Sequence, residues 1–297
     1  MIRKILTALA LGAGMAATGL MAPGLVAPAM ADPLARDVFG GFAAASQGPA
    51  VSLGNYSRGC GQGFVRLPET GPTWQAMRLS RNRNWGHPQL VDFLVGLSRA
   101  ARQAGWNGLY VGDMSQPRGG PMTSGHASHQ MGLDADIWMM PPPRLNLTPS
   151  ERESLSSVSA VASGGTALSG NWTPSHMSII RAAASDPRVE RLFVDPVVKV
   201  AMCQMETGAR GWLRKVRPLN NHDYHFHVRL NCPAGSACQA QNPIPAGDGC
   251  EEAAEWVRIR IDPSRARPAP ADPDYRHPRT LRMAELPGQC RTVAAQP

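Results

Sequence analysis

Among 297 residues there is no C-x-x-C pair, no H-E-x-x-H, no S-x-x-K, no glycine fingerprint of a nucleotide site and no run of lysine or arginine. The missing C-x-x-C argues against a thiolate zinc site or a dithiol redox motif. The missing H-E-x-x-H leaves no glutamate beside a helical histidine couple. Without S-x-x-K, no serine–lysine nucleophile presents itself. No module for RNA or DNA is found, and no internal repeat. Beyond the N-terminal segment no stretch is long and apolar enough to span a bilayer.

What is present begins with an export signal. Arg3 and Lys4 precede an Ala/Leu/Gly/Met-rich stretch from Ile5 to Leu20, and Pro28-Ala29-Met30-Ala31 closes it with an A-x-A pattern. Residues 1–31 therefore read as a cleavable signal peptide rather than a membrane anchor, with 32–297 as one exported domain in the periplasm. Cleavage removes two of the positive charges behind the formal +8 and no negative ones. The remaining basic balance favours an anionic partner, of which cell-wall polymer is one. The 6 cysteines, all downstream of the signal, read as three disulfides in an oxidising compartment. Cys232 and Cys238 read as one small closed loop; the other four leave long-range pairings open.

Along the chain, residues 32–60 are Ala/Gly/Ser-rich and predict an irregular lead-in. From Pro88 to Ala104 a helix is predicted, with Leu90, Phe93, Leu94 and Leu97 on one face and Gly105 as its stop. Gly108–Gly112 reads as a buried strand, Gln116–Gly125 as a Pro/Gly loop, and 141–170 as a Ser-rich surface loop. Thr173-Pro174 opens a further helix. Arg191–Val194 is strand-like, Val197–Glu206 helical, Glu251–Ile261 closes the folded core, and 263–280 is Pro-rich. Strands mixed with helices without a βαβ rhythm predict an α+β fold with a central antiparallel sheet, flanking helices and long loops.

Two strands stand out. Leu133–Trp138 alternates, with Asp134, Asp136 and Trp138 on one face; Tyr224–Leu230 alternates, with His225, His227 and Arg229 on one face and Tyr224, Phe226, Val228 and Leu230 buried on the other. His129 precedes Asp136 by an H-x6-D spacing, and His225-Phe226-His227 supplies an H-x-H. Two imidazoles and a carboxylate around an open position suit a catalytic zinc site on that sheet face. Zinc lowers the pKa of bound water from ~15.7 to about 7. With no H-E-x-x-H glutamate, a histidine is the natural proton acceptor.

At these residues the chain resembles the penicillin-insensitive murein endopeptidases, within the H-x6-D…H-x-H zinc peptidases that include lysostaphin-type and D-Ala-D-Ala metallopeptidases. The likeness lies in SGHASHQMGLDADIW and HDYHFHVRL, and extends through LSRNRNWGHPQL, GDMSQPRGGPM and the six cysteines. It implies a Zn2+ enzyme cutting the D-alanyl–meso-diaminopimelyl cross-links of peptidoglycan. It further implies His129, Asp136 and His227 as metal ligands, His225 as the catalytic histidine and His222 as another active-site histidine. His126 is implied either as an accessory metal ligand or as a supporting loop histidine. The implied pairings are Cys60–Cys290, Cys203–Cys250 and Cys232–Cys238. Residues 141–170 hold no histidine, so the resemblance does not carry a second metal site there. The absence of S-x-x-K agrees with insensitivity to β-lactams.

Asp134 reads as an orienting carboxylate, His87 as a helix cap, His176 and His277 as surface, Trp106 and Trp138 as core or cleft wall, and Arg118 as a turn arginine. Two rival functions stay open: a D-Ala-D-Ala carboxypeptidase of the same group, and a non-catalytic wall- or zinc-binding protein. No nucleic-acid partner is expected, and the sequence is silent on oligomeric state.

Overall fold

A computed structural model describes residues 31–267 and 272–297. The expected signal peptide lies outside them, Ala31 apart, as do four residues of the Pro-rich segment. The helices are α1 (Ala35–Phe39), α2 (Pro88–Gln103), α3 (Pro149–Ser154), α4 (Pro174–Ser185), α5 (Pro196–Met205), α6 (Cys250–Ile261) and α7 (Gly288–Ala295). None is long and apolar enough to cross a membrane.

α2 shows how local chemistry sets the elements. The His87 side chain accepts from the Gln89 amide at 3.2 Å and Pro88 opens the helix, so both start signals act together. Leu90, Phe93, Leu94 and Leu97 are buried as the spacing predicts, each contributing about 1.5–3 kcal/mol of transfer free energy. Gly105, at φ +93, ends the helix in a conformation that a side chain would strain.

The strands are β1 (Val51–Asn55), β2 (Arg58–Gln62), β3 (Val65–Arg66), β4 (Thr70–Gly71), β5 (Trp74–Ala76), β6 (Trp85–Gly86), β7 (Leu109–Val111), β8 (Asp134–Trp138), β9 (Val189–Val194), β10 (Val216–Pro218), β11 (His225–Leu230) and β12 (Ala237–Cys238). A seven-stranded sheet runs in the order β10-β9-β11-β8-β7-β5-β4. Its centre, β9-β11-β8-β7, is antiparallel as expected. At the flanks β5 pairs with β7 and β9 with β10 in parallel, joined by crossovers that contain α2 and α5. These short crossovers left no rhythm in the sequence because each occurs once, at opposite edges.

Phe226, Val228 and Leu230 of β11 and Ala135 and Ile137 of β8 share one core with the apolar faces of α2, α4 and α5. That face is apolar throughout, so the opposite face is free to carry polar groups. β1 and β2 form a hairpin of a smaller sheet with β12. This sheet packs beside a second core containing Phe39, Leu53, Cys60, Leu286, Cys290 and Val293. The disulfides are Cys60–Cys290, Cys203–Cys250 and Cys232–Cys238, the pairings that the resemblance implies.

Four expectations are corrected. Residues 32–60 hold α1, β1 and β2 rather than an irregular lead-in; glycines within β2 masked its strand character. The 141–170 segment contains α3, which Thr148 and Glu151 cap reciprocally. Tyr224 is 45% exposed, because β11 begins at His225 and the sheet does not cover the residue before it. His176 is buried, its ring bonded to the Met139 carbonyl at 3.0 Å and stacked on Trp172.

Candidate metal centre

Register decides the site. In the β11–β8 pair His227 lies opposite Asp136, His225 opposite Trp138 and Arg229 opposite Asp134. Directly opposed residues in a sheet project to the same side, so the polar alternations of the two strands meet there. A slip of one residue would send one strand's polar set into the core. The loop between β7 and β8 then returns over this face and delivers His126 and His129. His129 sits at φ +66, a left-handed conformation unusual for a histidine, and such strain is typical of functional positions. Gly132, at φ +68, follows it; a side chain there would strike the Phe64 ring.

Asp136 is the hub. Its Oδ1 lies 3.3 Å from His129 Nε2, 3.2 Å from His227 Nδ1 and 3.6 Å from His225 Nε2, and its Oδ2 lies 3.6 Å from His126 Nδ1. Burial alone would raise this carboxyl, but the charges of His225, His129 and His126 hold it well below the ordinary carboxylate range.

Three of these imidazoles are anchored from behind. His129 Nδ1–H donates to the Met114 carbonyl at 2.6 Å, His227 Nε2–H to Asp134 at 2.6 Å and His126 Nε2–H to Asp113 at 3.0 Å. Each acceptor fixes the tautomer, leaving the other ring nitrogen as a lone pair aimed at Asp136, the arrangement expected of metal-binding histidines. Asp134, itself buried, also accepts from Arg229 Nε at 2.7 Å. Burial opposes its ionisation, yet Arg229 and His227 hold it below the usual range.

The donor set fits a metal ion. His129 Nε2 and Asp136 Oδ1 are fully buried yet have no hydrogen-bond partner, and burying a lone pair unsatisfied is costly. Ligand atoms of His126, His129 and Asp136 all lie within 4.8 Å of one another, and His227 Nδ1 adds a nitrogen on the same oxygen. His126 is thus brought into the centre beside the three residues expected to ligate, on the other oxygen of Asp136 and a few tenths of an ångström farther out.

His225 and His222 differ from these. His225 is buried, its Nδ1 has no partner, and burial lowers its pKa. His222 is half-buried, its ring 4.8 Å from that of His225, and its Nδ1–H donates to the Asn220 carbonyl at 2.9 Å. Burial and then the charges of His227 and His225 lower its pKa to about 4. His222 touches Asp136 through neither ring nitrogen within ion-pair reach, whereas His225 does.

Sequence reading missed Asp113. It lies just beyond β7, and its Oδ2 receives Arg81 at 3.1 Å, Arg83 at 3.0 Å and His126 at 3.0 Å. Burial raises its carboxyl, but His126 and the two arginines bring it down to about 2. The available signal was a lone acid two residues past a wholly apolar strand. Arg118 lies in a turn, as expected, and from there its side chain clamps the C-terminal helix through the carbonyls of Val293 and Gln296, at 3.0 and 2.6 Å. Those bonds use the donors that a substrate carboxylate would need.

A family model described as penicillin-insensitive murein endopeptidase matches residues 52–295. A protein of that name from Haemophilus influenzae is 41% identical over 225 residues, covering 71% of this chain and 75% of its own. One from Klebsiella pneumoniae is 43% identical over 205 residues, with 68% and 74% covered. One from Escherichia coli is 37% identical over 249 residues, with 83% and 86% covered. With the match spanning both polar strands, the histidine-bearing loop before β8 and all 6 cysteines, the chain belongs to the penicillin-insensitive murein endopeptidase family.

Proposed function

We propose that this chain is a zinc-dependent murein endopeptidase that hydrolyses the D-alanyl–meso-diaminopimelyl cross-links of peptidoglycan, exported to the periplasm by a signal peptide over residues 1–31. The single observation that carries the reading is the convergence of outward-anchored imidazoles on the partnerless Oδ1 of Asp136. His129, Asp136 and His227 would hold the ion, and His126, in the wall of the adjoining cavity, would serve as an accessory ligand. When bound, zinc supplies a Lewis acid for the scissile carbonyl and makes water a nucleophile at neutral pH.

The remaining steps fall to side chains. His225, kept neutral by burial, takes the proton of the attacking water on Nε2 and returns it to the departing diaminopimelyl nitrogen. His222, with a pKa of about 4, is neutral at pH 7 and supports the His225 ring, 4.8 Å from its own. Asp134 and Asp113 hold the ligand tautomers. Three disulfides suit the oxidising periplasm.

Digestion of purified cross-linked dimeric muropeptides tests this directly. Monomers should appear, disappear on chelation, return with zinc and be indifferent to β-lactams; His129→Ala should abolish the activity. Release of free D-alanine alone would make the chain a carboxypeptidase. Intact muropeptides despite bound zinc would leave a binding protein.

A further inference from the structure

The cavity beside Asp136, about 540 Å³, has Arg78, Arg81 and Arg83 in its wall. Neither metal binding nor proton transfer accounts for three guanidiniums in one cleft. Their only carboxylate partner among the described residues is Asp113, which Arg81, Arg83 and His126 share through one oxygen. The other carboxylate lining the cavity, Asp136, is taken by the histidines.

The three arginines are not equivalent. Arg83 is 7% exposed at its side chain, and its pairing with Asp113 at 3.0 Å makes it internal scaffolding. Arg81 is 48% exposed and spends one donor on Asp113 at 3.1 Å. Arg78 reaches the Leu155 carbonyl at 3.0 Å and Ser156 Oγ at 3.4 Å and has no ion-pair partner among the described residues. A planar guanidinium with unused donors on a cleft wall is matched to a carboxylate, which it can grip with two parallel bonds.

The backbone holds Arg81 in place. It ends a 3-10 turn, Leu79–Arg81, bracketed by Arg78 at φ 57 and Asn82 at φ 52, two non-glycine residues in the left-handed region. Each such residue costs on the order of 1 kcal/mol and persists only where surrounding contacts impose it. Those contacts come largely from α3 and its end. The Ser80 amide and hydroxyl donate to Glu153 at 2.9 and 2.8 Å, and the Arg78 amide donates to the Arg152 carbonyl at 3.3 Å. On the other side Trp85 Nε1 donates to Asn82 Oδ1 at 2.8 Å. The turn is therefore rigid before any ligand arrives, which lowers the ordering cost of binding.

We propose that Arg81, assisted by Arg78, binds the free carboxylate borne by the carbon next to the scissile nitrogen on the diaminopimelyl side, and so selects cross-links in which that carboxylate is not amidated. The inference rests on the endopeptidase reading above and names a specificity-determining residue within it. Amidation removes the negative charge and one acceptor oxygen, leaving Arg81 facing a neutral amide.

The test is steady-state cleavage of two purified dimers that differ only in amidation of that carboxylate. The enzymes are zinc-loaded wild type, Arg81→Gln, Arg81→Lys and Arg78→Gln, with zinc content and thermal melting measured for each. Wild type should favour the free-carboxylate dimer by about 10- to 100-fold in kcat/KM, the worth of hydrogen bonds to a charged group. Arg81→Gln should collapse that preference, chiefly through KM on the free dimer, while retaining zinc. Arg81→Lys should keep part of it, and Arg78→Gln should weaken it less. Wild type cleaving both dimers equally, or Arg81→Gln keeping the preference, overturns the inference alone. A loss equal on both dimers, accompanied by loss of zinc, assigns Arg81 to the Asp113–His126 support and also overturns it. Failure of wild type to cleave either dimer overturns the endopeptidase reading with it.

Discussion

Replacing Asp134 with Asn separates metal support from fold support. Asp134 is fully buried and accepts from both His227 and Arg229, at 2.6 and 2.7 Å. Asn keeps the shape and one acceptor oxygen but loses the charge. The first consequence falls on His227, whose Nδ1 orientation depends on that carboxylate; losing such a support costs about 10- to 100-fold in metal affinity. The second falls on Arg229, 5% exposed, whose cation is left without its closest counter-charge. Removing one member of a buried ion pair costs about 3–5 kcal/mol, and the surviving amide bond places this change near the lower end. Arg229→Met in the same chain removes the stranded cation while its stem still fills the space over Tyr56, whose ring lies 3.9 Å from the guanidinium carbon. Zinc competition titration and urea denaturation of the metal-free proteins should show both losses in Asp134→Asn. The double variant should recover most of the stability and none of the affinity. Recovery of both together would mean that the affinity loss came from a loosened fold, and the assigned role of Asp134 would be refuted.

His227→Ala should lose zinc, whereas His225→Ala should keep zinc and lose about 10²- to 10⁴-fold in turnover; near-normal turnover in His225→Ala would move the proton to His222 or away from histidine. Lys199 is fully buried with its ammonium bonded to the Leu213 carbonyl at 2.7 Å, and burial lowers its pKa from 10.5 to about 7. Between those values the unfolded chain binds a proton that the folded chain does not, so this residue makes stability rise with pH at up to about 1.4 kcal/mol per unit. Lys199→Met should remove that slope in denaturant titrations from pH 7 to 10, and an unchanged slope would refute the assignment. The Cys60–Cys290 bridge spans 230 residues against 6 for Cys232–Cys238. Loop entropy predicts that replacing each pair by alanine costs about 5 and about 2 kcal/mol respectively, and the reverse order in urea unfolding would refute that account.

The site was legible where chemistry is local. The alternation of β8 and β11 placed Asp134, Asp136, His225 and His227 on polar faces, because side chains in a strand repeat every two residues whatever the tertiary context. The apolar spacing of α2 and the His87-Pro88 start were equally local. Spacing offered the ligand candidates and the Cys232–Cys238 loop; family resemblance supplied the two long-range disulfide pairings and the choice of His227 over His225 as ligand.

The remainder depended on packing between distant segments. No periodicity reports that His227 stands opposite Asp136; that register follows from burying Phe226, Val228 and Ile137 on the other face. His176 looked like a surface residue because a polar side chain in a helix reads so until Met139 arrives from another element to accept its bond. Tyr224 followed the alternation but fell one residue before the strand began. Asp113 and Arg81 carry no motif of their own. Only the fold brings a carboxylate beyond β7, an arginine from a 3-10 turn and a histidine from the next loop onto one oxygen atom. Sequence determined which residue types could do metal-assisted hydrolysis and on which face of each strand they lie. Tertiary structure decided which of them meet, because strand register and loop return are set by burial summed over the whole core.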